Sequence, residues 1–137
     1  MPFILDPRLN QDTLMVADSD HCLCLLINDQ RFPWIILVPT VPDISEMYQL
    51  PAANQLQLTQ DSLLLGQEMM ALFNGDKLNT GALGNIVRQL HLHHVIRFEG
   101  DAAWPGPVWG SGQALPYGDD DARHIVQKLR NTLTFCR

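Results

Sequence analysis

Asn85-Ile86-Val87-Arg88-Gln89-Leu90-His91-Leu92-His93-His94-Val95-Ile96-Arg97-Phe98 places three of the chain's five histidines within four positions. Its Val, Ile, Leu and Phe residues favour extended backbone, and the stretch reads as a strand. Side chains alternate between the faces of a strand. Gln89, His91, His93, Val95 and Arg97 then share one face, and Leu90, Leu92, His94 and Ile96 share the other. Two imidazoles, an amide and a guanidinium on one face suit a phosphate group. The leucine face suits a core.

Other elements are read outward from that strand. Asp6 to Ala17 reads as a short helix and loop. Cys22–Ile27 and Pro33–Val38 are apolar runs separated by the polar link Asn28 to Phe32, which predicts an antiparallel hairpin. Leu65, Met69, Leu72 and Phe73 recur at helical spacing, with Thr59 or Asp61 as the expected cap and Asn74-Gly75 as the stop. Asn79-Thr80-Gly81 and Gly84 read as turn residues. Glu99 to Gly110, rich in Pro and Gly, is a constrained loop. A second helix spans 119 to 134, with Asp119-Asp120-Asp121 at its positive end and a buried stripe of Ala122, Ile125, Val126, Leu129 and Leu133. Antiparallel strands with helices at separate points predict an α+β class. No G-x-G-x-x-G motif and no phosphate-binding P-loop motif occur.

The chain has 137 residues, is 46% hydrophobic and 18% charged, and carries a formal charge of −6. The length predicts one domain over 1–137 with a real core. The acidic balance argues against a nucleic-acid polymer as partner. A local site of histidines and backbone N–H groups can still take a small anion. Cys22, Cys24 and Cys136 are read as reduced thiols of a cytoplasmic protein. No run approaches ~18 apolar residues, so neither a membrane span nor a leader peptide is expected.

From the residues alone, His91 and His93 could be ordinary strand histidines, metal ligands with His21 or His124, or a nucleophile and its neighbour. A neutral imidazole is a competent nucleophile near its ordinary pKa of about 6.5, and it can attack phosphorus directly.

Gln89-Leu90-His91-Leu92-His93-His94-Val95 resembles the histidine-triad (HIT) motif, His-φ-His-φ-His-φ-φ with φ apolar. It departs from the motif at Gln89, where the first histidine stands, and at His94, an apolar position. The resemblance extends through Asn79, Gly84 and Asn85 upstream and through Arg97 and Trp104-Pro105 downstream. It also takes in the Asn28 region and the strand ending at Pro39. It is nearest to a bacterial subgroup with Gln at the first motif position and an Ala-Trp-Pro-Gly-Pro-Val-Trp-Gly stretch.

The resemblance implies a HIT-like sheet of about five antiparallel strands, with a long helix and a C-terminal helix. It implies a nucleotide hydrolase or transferase acting at an α-phosphate, with dinucleoside polyphosphates or nucleoside phosphoramidates as substrates. His91 maps to the nucleophile and His93 to a phosphate contact, with Gln89 in the first motif position. Asn28 maps to the ribose or base contacts. Asn79 and Asn85 map to the phosphate and leaving-group contacts, and the usual hydroxyl five residues before the nucleophile is Ile86. From the residues, Trp104 is read as packing the Pro-rich loop onto the sheet, Trp109 as packing there or approaching a purine or a partner subunit, and Arg97 as structural. A homodimer with joined sheets is implied, with no cofactor and no obligatory metal. A nucleotide-binding module that has lost its chemistry is the alternative reading.

Overall fold

The computed structural model describes residues 2–135. In chain order these form α1 (Pro7–Gln11), β1 (Thr13–Asp18), β2 (Cys22–Ile27), β3 (Trp34–Pro39), α2 (Ala52–Phe73), β4 (Lys77–Gly81), β5 (Leu92–Arg97) and α3 (Asp119–Thr132), with a 3-10 turn at Met47–Gln49. The strands make one antiparallel sheet in the order β1-β2-β3-β5-β4. The expected α+β architecture and hairpin are present, and the histidine strand is present in shorter form: β5 begins at Leu92, so residues 85–91, His91 among them, precede it.

Alternation sorts the sheet into two faces. Cys24, Leu26, Ile35, Leu37, Leu92 and Ile96 point to one side, where Leu58, Leu65 and Met69 of α2 and Leu129 of α3 close the main core. Leu23, Leu25, Ile36 and Val38 point to the other, under Leu9 and the apolar residues Phe3 and Leu5. The register places Leu25 beside Ile36, Ile36 beside His93 and His93 beside Gly81. His93 therefore stands in a row of side chains on the face opposite α2.

Other boundaries also differ from the sequence expectation. Residues 13–18 are the edge strand β1, not loop, and a bulge between Met15 and Ala17 breaks the alternation that would have marked it. Arg130 of α3 donates to the carbonyls of Val16 and Met15 and so satisfies groups on that irregular edge. Residues 79–81 belong to β4 and are not a turn; β4 is the opposite edge of the sheet. The long helix starts at Ala52, before Thr59 and Asp61. Its N-cap, Pro51, offers no side-chain bond, so the usual start signal is missing. Thr59 instead bonds back to the Gln55 carbonyl, and Asp61 accepts from Gln57 within the helix.

The helix stop also works differently from the expectation. Asn74, not Gly75, takes the left-handed conformation, at φ 52° and ψ 49°. Gly75 serves for space, because a Cβ there would overlap Cγ2 of Ile96. The shorter α3 ends at Thr132, with Leu129 and Leu133 buried and Ile125 and Val126 partly so. Cys22 and Cys24 are buried in the core, and Cys136 lies outside the described residues.

These two positions predict opposite mutational responses. Gly75→Ala should cost about 1–3 kcal/mol through overpacking against Ile96. Asn74→Gly should change stability by no more than about 1 kcal/mol, because glycine adopts the same conformation freely. Urea denaturation of both variants checks the contrast.

Candidate functional site

A cleft of about 810 Å³ opens on the sheet face away from α2. One wall is α1 and the end of β2, carrying Arg8, Leu9, Asp12 and Asn28. A second is the loop 83–87, with Asn85 and Ile86. The third is the segment 108–116, with Trp109. His91 and His93 lie at the floor, 8% and 6% exposed. Their ring centroids are 4.8 Å apart.

The hydrogen bonds of the two imidazoles fix their proton positions. His91 Nδ1 lies 2.7 Å from the carbonyl oxygen of Gln89. A carbonyl only accepts, so Nδ1 carries the proton and neutral His91 presents a lone pair at Nε2. His93 Nδ1 accepts from the indole N–H of Trp34 at 2.9 Å. An indole only donates, so neutral His93 carries its proton at Nε2. Neighbouring rings thus offer the cleft one lone pair and one N–H. Burial, and then the nearby His91 and His94, push the His93 pKa down to about 3, which keeps the ring neutral at ordinary pH.

The expected site residues divide in two. His91, His93, Asn28, Asn85 and Trp109 all line the cleft. Trp109 meets His93 edge-on at 5.4 Å, over Gly81, where a Cβ would stand 3.6 Å from the indole. The side chains of Gln89 and Asn79 do not line it. Gln89 accepts from the N–H of Asp6 and donates to the carbonyl of Ile4, both at 2.8 Å. It clasps the N-terminal segment, and only its main-chain oxygen reaches His91. Asn79 accepts from Arg97 at 2.9 Å. Asn28 lines the cleft but its Oδ1 is held by the N–H of Tyr117.

His94 points to the helix face, as alternation predicts. Its Nε2 lies 2.7 Å from the Ser62 hydroxyl of α2, and burial pushes its pKa down to about 4. Arg97 is structural: 1% exposed, it is bound through Nε and Nη2 to Asp101. Arg97 holds the Asp101 carboxyl far below the usual range, helped by three backbone N–H groups. Burial alone would raise the Asp29 carboxyl, but hydrogen bonds from Arg31 and from the N–H of Leu115 bring it below its ordinary value. Arg31 also reaches the Ser111 carbonyl, so the hairpin loop fastens the third wall of the cleft.

Sequence reasoning missed Trp34, the Asp29–Arg31 pair and the contribution of α1. Trp34 shares a face with Ile36 by simple alternation. Its meeting with His93 depends on the β3–β5 pairing, which no local signal reveals. His21 lines a separate small cavity with Cys22, Gln57 and Asp61. Among the described residues no three His, Cys, Asp or Glu side chains are grouped to hold a metal ion. No helix among them is long and apolar enough to cross a membrane.

An open five-stranded antiparallel sheet, with His93 on β5 and His91 just before it, is the arrangement of the histidine-triad class of protein. The chain belongs to the HIT family, whose HIT domain model matches residues 8–100. A histidine triad protein from Marinobacter aquaeolei VT8 is 46% identical, with 100% of each chain covered and a TM-score of 0.97. A histidine triad protein from Sinorhizobium meliloti 1021 is 42% identical, over 96% of this chain and 97% of the other, with a TM-score of 0.92. One from Bradyrhizobium japonicum is 36% identical, over 98% and 100%, with a TM-score of 0.93. No curated protein matches the sequence. Proteins of this family are in general nucleotide-binding hydrolases and transferases.

The two buried imidazoles set an acid limit on stability. An unfolded histidine takes up a proton below about 6.5, whereas folded His93 and His94 stay neutral down to about 3 and 4. The unfolded state then binds more protons, so stability falls as pH drops from about 6.5 toward 4. Urea midpoints across that window should fall with a two-proton dependence for this pair, and His94→Gln should remove one proton from it.

Proposed function

We propose that this protein is a nucleotide hydrolase or transferase that works through a nucleotidyl-histidine intermediate. The observation that carries the reading is the opposed tautomers of His91 and His93 at the floor of a nucleotide-sized cleft. His91 Nε2 attacks the α-phosphorus of a nucleotide derivative, forming an N–P bond as the bond to the leaving group breaks. Water then displaces the nucleoside monophosphate from His91. Covalent catalysis of this kind divides one difficult displacement into two. The Gln89 carbonyl holds the Nδ1 proton, so the residue at the first motif position acts through its backbone. A carbonyl is unaffected by which side chain stands there, and the exchange of His for Gln leaves this function intact.

His93 Nε2–H donates to a non-bridging oxygen, where negative charge builds in the transition state. Asn85 supplies an amide from the loop 83–87, and Asn28 and Trp109 flank the nucleoside. Asn79 supports the site from behind, through Arg97. Dinucleoside polyphosphates, nucleoside phosphoramidates and related adenylates are the substrate classes. The chain acts in the cytoplasm as one domain and forms a two-fold dimer through β4, one of the two edge strands of the sheet. It uses no cofactor.

His91→Ala should abolish turnover of diadenosine tetraphosphate, adenosine phosphoramidate and acyl adenylates by at least ~10³-fold, while AMP binding persists. Wild-type turnover should survive EDTA. Wild-type AMP binding with no turnover of any of these substrates would identify a binding module instead.

A further inference from the structure

The tautomer of His93 bears on the leaving group, a point that rests on the nucleotidyl-histidine reading. A histidine relays a proton by taking one at one nitrogen while giving one from the other. His93 Nδ1 faces the Trp34 indole, which has a proton to share and no lone pair to bring another. Giving up the Nε2 proton would leave an anionic ring in a buried site. His93 can hydrogen-bond a phosphate oxygen but cannot hand over its proton. The other ring is equally committed, with its Nδ1–H on the Gln89 carbonyl and Nε2 used in attack.

Among the described residues no further acid lines the floor. The titratable groups bearing on His93 are His91 and His94. Asp29 lies across the cleft and is held ionised by Arg31, and Arg8 and Asp12 face each other on α1. The loop 83–87 contributes one amide, Asn85, beside the apolar Leu83 and Ile86, which are 45% and 75% exposed.

We propose that Trp34 is a positioning residue that locks His93 as a fixed donor and thereby selects substrates whose leaving group departs as an anion. The class the cleft favours is the mixed anhydride of a nucleoside monophosphate with a carboxylic acid. In the first step the His91 Nε2 lone pair forms the N–P bond. The P–O bond to the acyl group breaks, and its electron pair leaves with the carboxylate, which needs no proton because its conjugate acid has a pKa of about 4. In the second step water attacks phosphorus, the N–P pair returns to Nε2, and one water proton passes to solvent. An amine leaving group would need a proton that this site does not deliver. A polyphosphate would leave as an anion too, but each arginine lining the cleft already faces an aspartate. The exposed Leu83 and Ile86 suit an acyl chain.

The test compares hexanoyl adenylate, adenosine phosphoramidate and diadenosine tetraphosphate, each rate divided by its uncatalysed rate, in wild type, Trp34→His and Trp34→Phe. In the wild type the acyl adenylate should be accelerated about a hundredfold more than the phosphoramidate, the usual worth of a missing general acid. Trp34→His adds a side chain that can pass a proton to His93. It should narrow that gap about tenfold by raising phosphoramidate turnover. Trp34→Phe should free Nδ1 to protonate and add an acidic limb to the pH profile. Nitrogen-15 NMR of the wild type should show His93 as the Nε2–H tautomer below pH 5. Equal acceleration of the phosphoramidate or the tetraphosphate, or a His93 ring protonated on both nitrogens at pH 5, would overturn the proposal. Turnover with the wrong selectivity leaves the covalent reading standing. AMP binding without turnover of any substrate removes that reading and this proposal together.

Discussion

The buried pair of Arg97 and Asp101 is the constraint on which the cleft depends. Arg97 sits at the end of β5, with its guanidinium 5.7 Å from the centre of the Phe32 ring and 5.6 Å from that of Trp104. Asp101 accepts from Arg97 and from the N–H groups of Phe98, Ala103 and Trp104. A charge taken this far out of water is tolerable only when its partners are complete, and removing one partner of such a pair typically costs about 3–5 kcal/mol. The knot ties four parts together: β5, β4 through Asn79, the hairpin loop through Phe32, and the Pro-rich loop that leads to Trp109. The hydrogen bonds of the pair go to other residues than the floor histidines, yet the surroundings of those histidines are assembled around it.

Given that frame, the chemistry follows from alternation. One strand sends Leu92, His94 and Ile96 toward the helices and His93 and Val95 toward the cleft. Identical side chains, His93 and His94, acquire different partners because they are neighbours in sequence and therefore opposite in space. Ser62 meets one and Trp34 the other. His91 lies just before β5, where the backbone is free to turn the Gln89 carbonyl onto its ring.

Much of this was legible in the sequence. The period-two pattern of 89–97 gave the two faces, and the motif gave the family. The apolar runs 22–27 and 34–39 gave the hairpin. What stayed hidden depended on distance along the chain. β1 carries a bulge and so lacks its pattern, and α2 begins without a side-chain cap. The role of Trp34 required the pairing of strands whose contacting residues are 59 positions apart. Gln89 was read as a stand-in for an imidazole in the site. Its amide instead matches one backbone donor and one backbone acceptor of the segment 4–6, a partner that no local rule could supply.

That clasp also has a bearing on synthesis. The bonds from Gln89 to Asp6 and Ile4 span 83 and 85 positions. During synthesis residues 4–6 therefore cannot dock on Gln89 until residue 89 has followed them. Long-range contacts of this kind form late, because loop closure must precede them. One glutamine closes the chain's beginning onto the sheet and also presents the carbonyl that sets the His91 proton. Its peptide unit is held from both sides only once that closure is complete. A nascent or partly folded chain can carry both histidines and still lack the alignment that distinguishes them.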